Sequence, residues 1–360
     1  MSASEETQVG KRRKLYFVTQ DLDLLIDRWC QKRQMRCPEA SLFSELRESL
    51  ITNLQRAFGE IENPDLPDGV DVEDPVNGKQ VSIEVRYIPR QRLSTLVRSK
   101  ANDEFWIALD DIYISPKEAD AVLRVSRVFD VNGRRIGVAS RYPKVSISDE
   151  VSQCVAKYNE SGRGKRVVLA DDGTYSGGTI VEAIKWLKAR HITVDRIYLG
   201  FCTKDGETKI YDELEALQYP PVEIGASLMV DKRNVFVWVC ERDFYLGAPR
   251  SGRTLGKRTL NKEAETSDSE IGFSYVMPFA GKRKGGNIEQ GDWNGFSRSQ
   301  VRDSIKLWEA IESVNSIAKP FTVEDIGRFP GPGASDKYEQ YRRKPWIEYI
   351  RDVVAPYFDI

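Results

Sequence analysis

The chain has a single histidine, His191, in 360 residues. A histidine-rich metal site or a Ser-His-Asp triad therefore has little to be built from. The five cysteines, Cys30, Cys37, Cys154, Cys202 and Cys240, are scattered and odd in number. That pattern argues against a disulfide framework, and it leads us to expect a reducing, cytoplasmic setting. No apolar run approaches the roughly 20 residues needed to span a bilayer. The opening segment, MSASEETQVGKRRK, lacks the apolar core of a signal peptide and reads as a frayed tail. Net charge is also nearly absent, at −1, so no global field draws the chain to nucleic acid or membrane.

What remains is an ordinary globular composition, 40% hydrophobic and 30% charged, long enough for one large domain or two smaller ones. Leu22, Leu25 and Trp29 lie on one face of a first predicted helix. Leu46, Leu50, Leu54 and Phe58 form the stripe of a second that opens at Pro38. Strand patterns follow at VSIEVRYI, which alternates, and at FWIAL, which is uniformly apolar. VLRVSRVFDVNGRRIGVASRY reads as a hairpin turning at Asn132-Gly133. From residue 151 the order becomes helix, strand, helix, strand, with VVLA, DRIYLGF and VFVWVC as strands. Such alternation predicts an α/β fold whose mainly parallel sheet is flanked by helices. Beyond Cys240, two glycine-rich basic stretches read as exposed loops, and two amphipathic helices close the chain. The first of these carries Val301, Ile305, Trp308 and Ile311, and the second starts at Pro345.

The stretch VVLADDGTYSGGTI, residues 167–180, stands apart. A buried parallel strand should end at Asp171-Asp172, and ligands of open α/β sheets bind beyond such ends. Gly177 and Gly178 let the backbone turn tightly and expose its amides. With the hydroxyls of Thr174, Ser176 and Thr179 and the positive end of the next helix, those amides suit a phosphate. Like charge keeps the aspartates off that phosphate. They suit instead its neighbours, sugar hydroxyls or a hard cation such as Mg²⁺. A phosphate beside a diol describes a sugar phosphate.

This segment resembles the phosphoribosyl-diphosphate loop of type I phosphoribosyltransferases. That pattern is an apolar strand, two acids, three variable positions and then Thr/Ser-Gly-Gly-Thr, and it is met here at every defined position. The resemblance implies a phosphoribosyltransferase-like α/β core with a hairpin and helical additions at both termini. By the same resemblance Asp171 and Asp172 are the catalytic pair, holding the ribose hydroxyls. Residues Thr174, Tyr175, Ser176, Gly177, Gly178 and Thr179 cradle the 5′-phosphate. Mg²⁺ is the implied cofactor, with Asp171, Asp172 and Asp243 as its ligands. Trp238 falls near the family's base-stacking position and fits either stacking or core packing. From its position in a loop after the last core strand, Arg253 is expected as a substrate contact within a closing lid.

The order of segments also looks like a divergent branch of that family, effectors of bacterial anti-phage systems. Some of these are encoded beside retron reverse transcriptases, which makes such an enzyme and its nucleic acid possible partners, along with a second copy of the chain. Four regions are expected: a helical region at 1–75, the core at 76–255, a flexible loop region at 256–295 and a helical appendage at 296–360.

Several features depart from the family pattern. No glycine-rich pyrophosphate loop is found. RYIPRQRLSTLVRSK occupies its place, and Arg86, Arg90 and Arg92 fit either a diphosphate grip or a solvated face. Tyr175 stands where purine-salvage members often carry an acid, and a phenol is a weak base at neutral pH. Asp110-Asp111 is expected to form a strand-ending turn, and Arg124 and Arg127 a salt-bridged sheet face. Arg250, Arg253, Lys257 and Arg258 fit a lid, nucleic-acid contacts or a merely solubilising loop, and His191 a helix C-terminal cap. Three functions follow: phosphoribosyl transfer, non-catalytic sensing of a ribose phosphate, or docking on nucleic acid or a partner through the basic loops at 250–258 and 282–284.

Overall fold

The computed structural model describes residues 13–58, 72–73, 80–94, 103–114, 118–129, 135–141, 145–162, 164–251, 253–255, 270–279, 285–316, 319–326, 328–330 and 340–360. Strand β1 (Arg13–Thr19) leads into helices α1 (Leu22–Lys32) and α2 (Ala40–Phe58). Then come β2 (Val72–Glu73), β3 (Gln80–Ile88), the short α3 (Arg90–Ser94), β4 (Glu104–Ala108) and β5 (Ala121–Val122). The hairpin strands are β6 (Val125–Phe129) and β7 (Arg135–Ser140); the turn expected between them lies outside the described residues. After α4 (Ile147–Lys157) the chain runs β8 (Arg166–Thr174), α5 (Gly178–Lys188), β9 (Arg196–Thr203), α6 (Lys204–Ala216), β10 (Glu223–Val230) and β11 (Val235–Cys240). Short strands β12 (Arg253–Leu255), β13 (Glu270–Phe273) and β14 (Arg328–Pro330) interleave with α7 (Trp293–Val314) and α8 (Val323–Ile326), and α9 (Trp346–Tyr349) follows.

The central sheet is parallel throughout, in the order β10-β9-β8-β4-β5. Its middle strand explains the uniform VVLA run. Val167 and Leu169 pack with the α5 stripe Ile180, Val181, Ile184 and Leu187, whereas Val168 and Ala170 pack on the other face with Trp106 and Ala108. A strand covered on both sides needs apolar residues at every position. The chain advances from β8 to β9 to β10 in one direction, while β4 and β5 lie on the other side of β8. The β4/β8 boundary is therefore the topological switch point, where the connections diverge and a crevice opens at the strand ends.

A second sheet, β11-β1-β3-β2, has its first three strands parallel. It joins the central sheet through a ring stack in which Phe201 of β9 lies 3.7 Å from Trp238 of β11, and Phe17 of β1 lies 4.9 Å from Trp238. Its far side carries the largest core, in which Leu46, Leu50, Leu54 and Phe58 of α2 meet Val301, Leu307, Trp308 and Ile311 of α7. Both terminal helical regions thus share one core. A third, smaller sheet, β14-β13-β12-β6-β7, extends the hairpin with segments that read as loops in the sequence. The pattern gives no sign of β1, whose apolar run is only Leu15–Val18 behind a basic tail. It also misses α6, which has few buried apolar positions, and β10, which is only half-buried.

Helix starts are set by side chains. Ser146 accepts from the amide of Asp149 before α4, Thr203 from that of Gly206 before α6, and Asp292 from that of Gly295 before α7. Helix α5 instead starts from Gly177 in the left-handed region, at φ +70°, where a Cβ would sit 2.8 Å from both the Gly206 carbonyl oxygen and Ile210 Cγ1. Gly164 has φ +86° but open space around it. Gly164→Ala should therefore cost only the backbone term, about 1–2 kcal/mol. Gly177→Ala should exceed it by about 1 kcal/mol or more, because the obstructing atoms include backbone. Urea unfolding midpoints of the two variants check the order, and equal losses would contradict the packing role of Gly177.

Candidate functional site

Two acidic pairs meet at the switch point. The amide of Leu109 donates to the Ala170 carbonyl at 2.8 Å, which carries the β4 register one residue past the strand and sets Asp110-Asp111 beside Asp171-Asp172. Asp110 does form the expected turn, since its Oδ2 accepts from the amides of Ile112 at 3.0 Å and Tyr113 at 2.7 Å. It does more than that. Its Oδ1 takes Arg141 Nη1 at 2.6 Å, and Arg141 also donates to the Val125 carbonyl. Asp111 receives Arg250 through Nη1 at 2.6 Å and Nη2 at 3.3 Å, and Arg124 Nε at 3.2 Å. Both acids are buried, with 1% and 5% exposure. Sequence reading missed this hub because its partners lie 13 to 139 residues away. The one available signal was a second acid pair directly after an apolar strand.

The first pair lies on β8 itself, which runs through Asp171 and Asp172 to Thr174 instead of ending before them. Both line a cleft of about 520 Å³ together with Gly173–Ser176 and Thr179. The Asp172 amide donates to Asp171 Oδ1 at 3.0 Å. Burial, then the charges of Asp172 and Asp110, push the Asp171 carboxyl well above its ordinary range, with Arg141 opposing. Asp172 is raised as well, by burial and by Asp110. Two neighbouring acids facing a third do not all ionise freely.

The loop after β8 is held from behind. Buried Thr174 accepts the Gly177 amide at 3.0 Å, which closes the turn. The Thr203 hydroxyl donates to the Tyr175 carbonyl at 2.6 Å while accepting from Gly206, so the cap of α6 also positions the loop. The Tyr175 ring has Lys232 Nζ 5.8 Å from its centroid. Ser176 is exposed and Thr179 half-buried on the cleft wall, at the start of α5, whose first-turn amides have no partner within the helix. Across from them, Arg135 Nη1 lies 3.3 Å from where a Gly178 Cβ would be.

The remaining candidates are dispersed around this wall. Trp238 lines the cleft, but one face is covered by Phe201, so it combines packing with a cleft edge. Asp243 also lines the cleft, where its Oδ2 accepts from the Cys240 amide at 3.3 Å and its Oδ1 lies 3.8 Å from Arg242. Among the described residues, no three His, Cys, Asp or Glu side chains are grouped to hold a metal ion. The Arg253 backbone lies in β12, paired with Phe273. Lys257, Arg258 and residues 282–284 lie outside the described residues. Of the arginines in the place of a pyrophosphate loop, Arg86 is exposed and pairs with Glu84 at 2.8 Å. Arg124 is salt-bridged as expected; exposed Arg127 is not, among the described residues. His191, at φ +62° behind α5, is in the capping position, and the Ile192 amide bonds back to Leu187 at 3.0 Å.

Deeper in, the buried Asp21 pairs with Arg242 and accepts from the Tyr113 hydroxyl at 3.2 Å. Burial raises its carboxyl to about 6 against the pull of Arg242. This cluster ties the end of β1 to the segment after β11. Among the described residues, no helix is long and apolar enough to cross a membrane. No family model matches the chain, and no curated protein matches it. The likeness of the loop to phosphoribosyltransferases therefore rests on the motif and its setting.

A raised acid has a defined effect on stability. The folded state holds the proton more tightly than the unfolded chain, so stability declines as pH rises from the unfolded value near 3.8 through about 6. Asp172→Asn removes one charge of the pair. Relative to wild type it should gain about 1–2 kcal/mol between pH 4 and pH 7.5, discounted for partial exposure. Denaturant titrations at both pH values check this, and a pH-independent difference would show that the pair does not hold a proton.

Proposed function

We propose that the chain is a phosphoribosyltransferase-like protein. It binds 5-phosphoribosyl diphosphate or a related ribose phosphate in the switch-point cleft and transfers the phosphoribosyl group to a base, nucleotide or macromolecule. One juxtaposition carries this reading: Asp171-Asp172 and the Thr174–Thr179 loop share a single cleft wall at the carboxyl end of β8. Amides at the start of α5, with Ser176 and Thr179, would take the 5′-phosphate. The aspartates would accept from the ribose hydroxyls, and their negative charge would favour positive charge developing at the anomeric carbon.

The donor set is compatible with Mg²⁺ arriving with the diphosphate, because one or two carboxylates plus substrate oxygens are its usual ligands. When bound, the ion would neutralise charge on the departing diphosphate. A role as effector in bacterial anti-phage defence, beside a reverse transcriptase, is supported by the resemblance of segment order.

One observation favours a second reading, a sensor that holds the ligand without chemistry. The segment after β4, residues 109–120, next to the proposed sugar site, has no glycine in its sequence; Asp110 and Asp111 there neutralise Arg141 and Arg250. Calorimetric titration with phosphoribosyl diphosphate and MgCl₂ should give saturable binding to wild type. Asp171→Asn/Asp172→Asn should lose about 10–100-fold in affinity, as expected for charged hydrogen bonds. Equal binding by both proteins would refute the site. Release of pyrophosphate with a nucleobase and nucleotide mixture would favour transfer, and binding without release would favour sensing.

A further inference from the structure

Five arginines line the cleft: Arg127, Arg135, Arg141, Arg242 and Arg250. Three are already committed. Arg141 is held by Asp110, Arg250 by Asp111 and Arg242 by Asp21. The other two, Arg127 and Arg135, have no carboxylate within ion-pair distance among the described residues. They occupy facing strands of one hairpin, where Arg127 pairs with Val138 and Phe129 with Arg135 in the β6–β7 register. Both are exposed at the lip of the cleft.

Their position relative to the loop is specific. Arg135 Nη1 and Nη2 lie 3.3 Å and 3.5 Å from a Cβ built on Gly178, at the first turn of α5. The guanidinium therefore sits beside the first residue of α5, the helix whose amides would hold a phosphate. Desolvation, then the charge of Arg127, lowers the Arg135 pKa; the acid acting in the opposite direction is Glu182 of α5, which Lys185 also contacts at 3.4 Å. Two like charges brought together with no carboxylate at ion-pair distance are a cost that an anion would relieve.

A single 5′-phosphate carries at most two negative charges and can already be held by amides, hydroxyls and the helix end. Two further guanidiniums at the same point exceed what it needs. Resting on the ribose-phosphate reading of the cleft, we infer that it also takes a nucleoside 5′-diphosphate or triphosphate. The phosphate nearest the sugar lies in the loop, and the outer phosphates reach Arg127 and Arg135. Guanidinium forks match phosphate oxygens in pairs. The cleft volume of about 520 Å³ falls within the usual range for small-ligand sites.

The test is a calorimetric series with adenosine 5′-mono-, di- and triphosphate at fixed ionic strength, with ribose 5-phosphate as reference. Wild type should bind the triphosphate about tenfold or more tightly than the monophosphate, a difference of about 1.4 kcal/mol. Arg127→Gln/Arg135→Gln, whose exposed side chains should leave the melting temperature unchanged, should flatten the series and weaken monophosphate binding much less. A flat series in wild type, or an undiminished slope in the double variant, overturns the inference. If ribose 5-phosphate still binds in an Asp171- and Asp172-dependent way, only the polyphosphate inference fails. If no compound binds, the underlying site reading fails with it.

Discussion

Carboxylates gathered at the end of a buried parallel sheet repel one another, and the cleft depends on how that repulsion is balanced. Asp110, Asp111, Asp171 and Asp172 lie at adjacent strand ends, where water is limited and charge is poorly screened. Arg141, Arg124 and Arg250 provide the compensation. Each arrives from a different segment: the end of β7, the connection between β5 and β6, and the turn after β11. The electrostatic requirement of the sheet ends thus fastens the hairpin and a distant loop over the crevice. Breaking such a pair from one side leaves a buried charge uncompensated, which costs more than the intact pair contributes.

The compensation is unevenly distributed. Asp110 and Asp111 take the arginines, while Asp171 and Asp172 have no arginine at ion-pair distance among the described residues and their carboxyls are pushed up. One pair is structural because its carboxylates are buried and their cations close. The other is available to a ligand because its relief comes from Arg141 and, for Asp172, Arg242, neither of which forms an ion pair with it among the described residues. The same division separates the arginines on the cleft wall, and it leaves the lip positive and the floor negative. A molecule with an anionic end and a hydroxyl-rich middle fits that gradient.

Much of the fold was legible in the sequence wherever burial imposes a period. The α2 and α7 stripes, the continuous β4 and β8 runs and the hairpin alternation all reflect faces that must be apolar. The loop was legible because glycine at positive φ and a short polar turn are local requirements, as Gly177 illustrates. Nothing local marks β1, whose four apolar residues are inserted between β3 and β11. Nor does anything local mark the ion pairs of Asp111 with Arg250 or of Asp21 with Arg242, because charge partners carry no periodicity. Asp243 and Trp238 could be placed near the cleft, but their engagement with the Cys240 amide and Phe201 depends on how β11 meets β9.

The place of β1 has a consequence for biosynthesis. Leu15 through Thr19 pair on one side with β3 and on the other with Val235 through Cys240, more than two hundred positions later. Until the ribosome has delivered that later segment, one edge of β1 stays open, with unpaired amides and carbonyls beside an apolar face. Contacts this far apart in the chain slow folding and prolong exposure of such edges. The nascent polypeptide should therefore lean on chaperones until β11 emerges, and the aspartate–arginine contact between Asp21 and Arg242 closes only then.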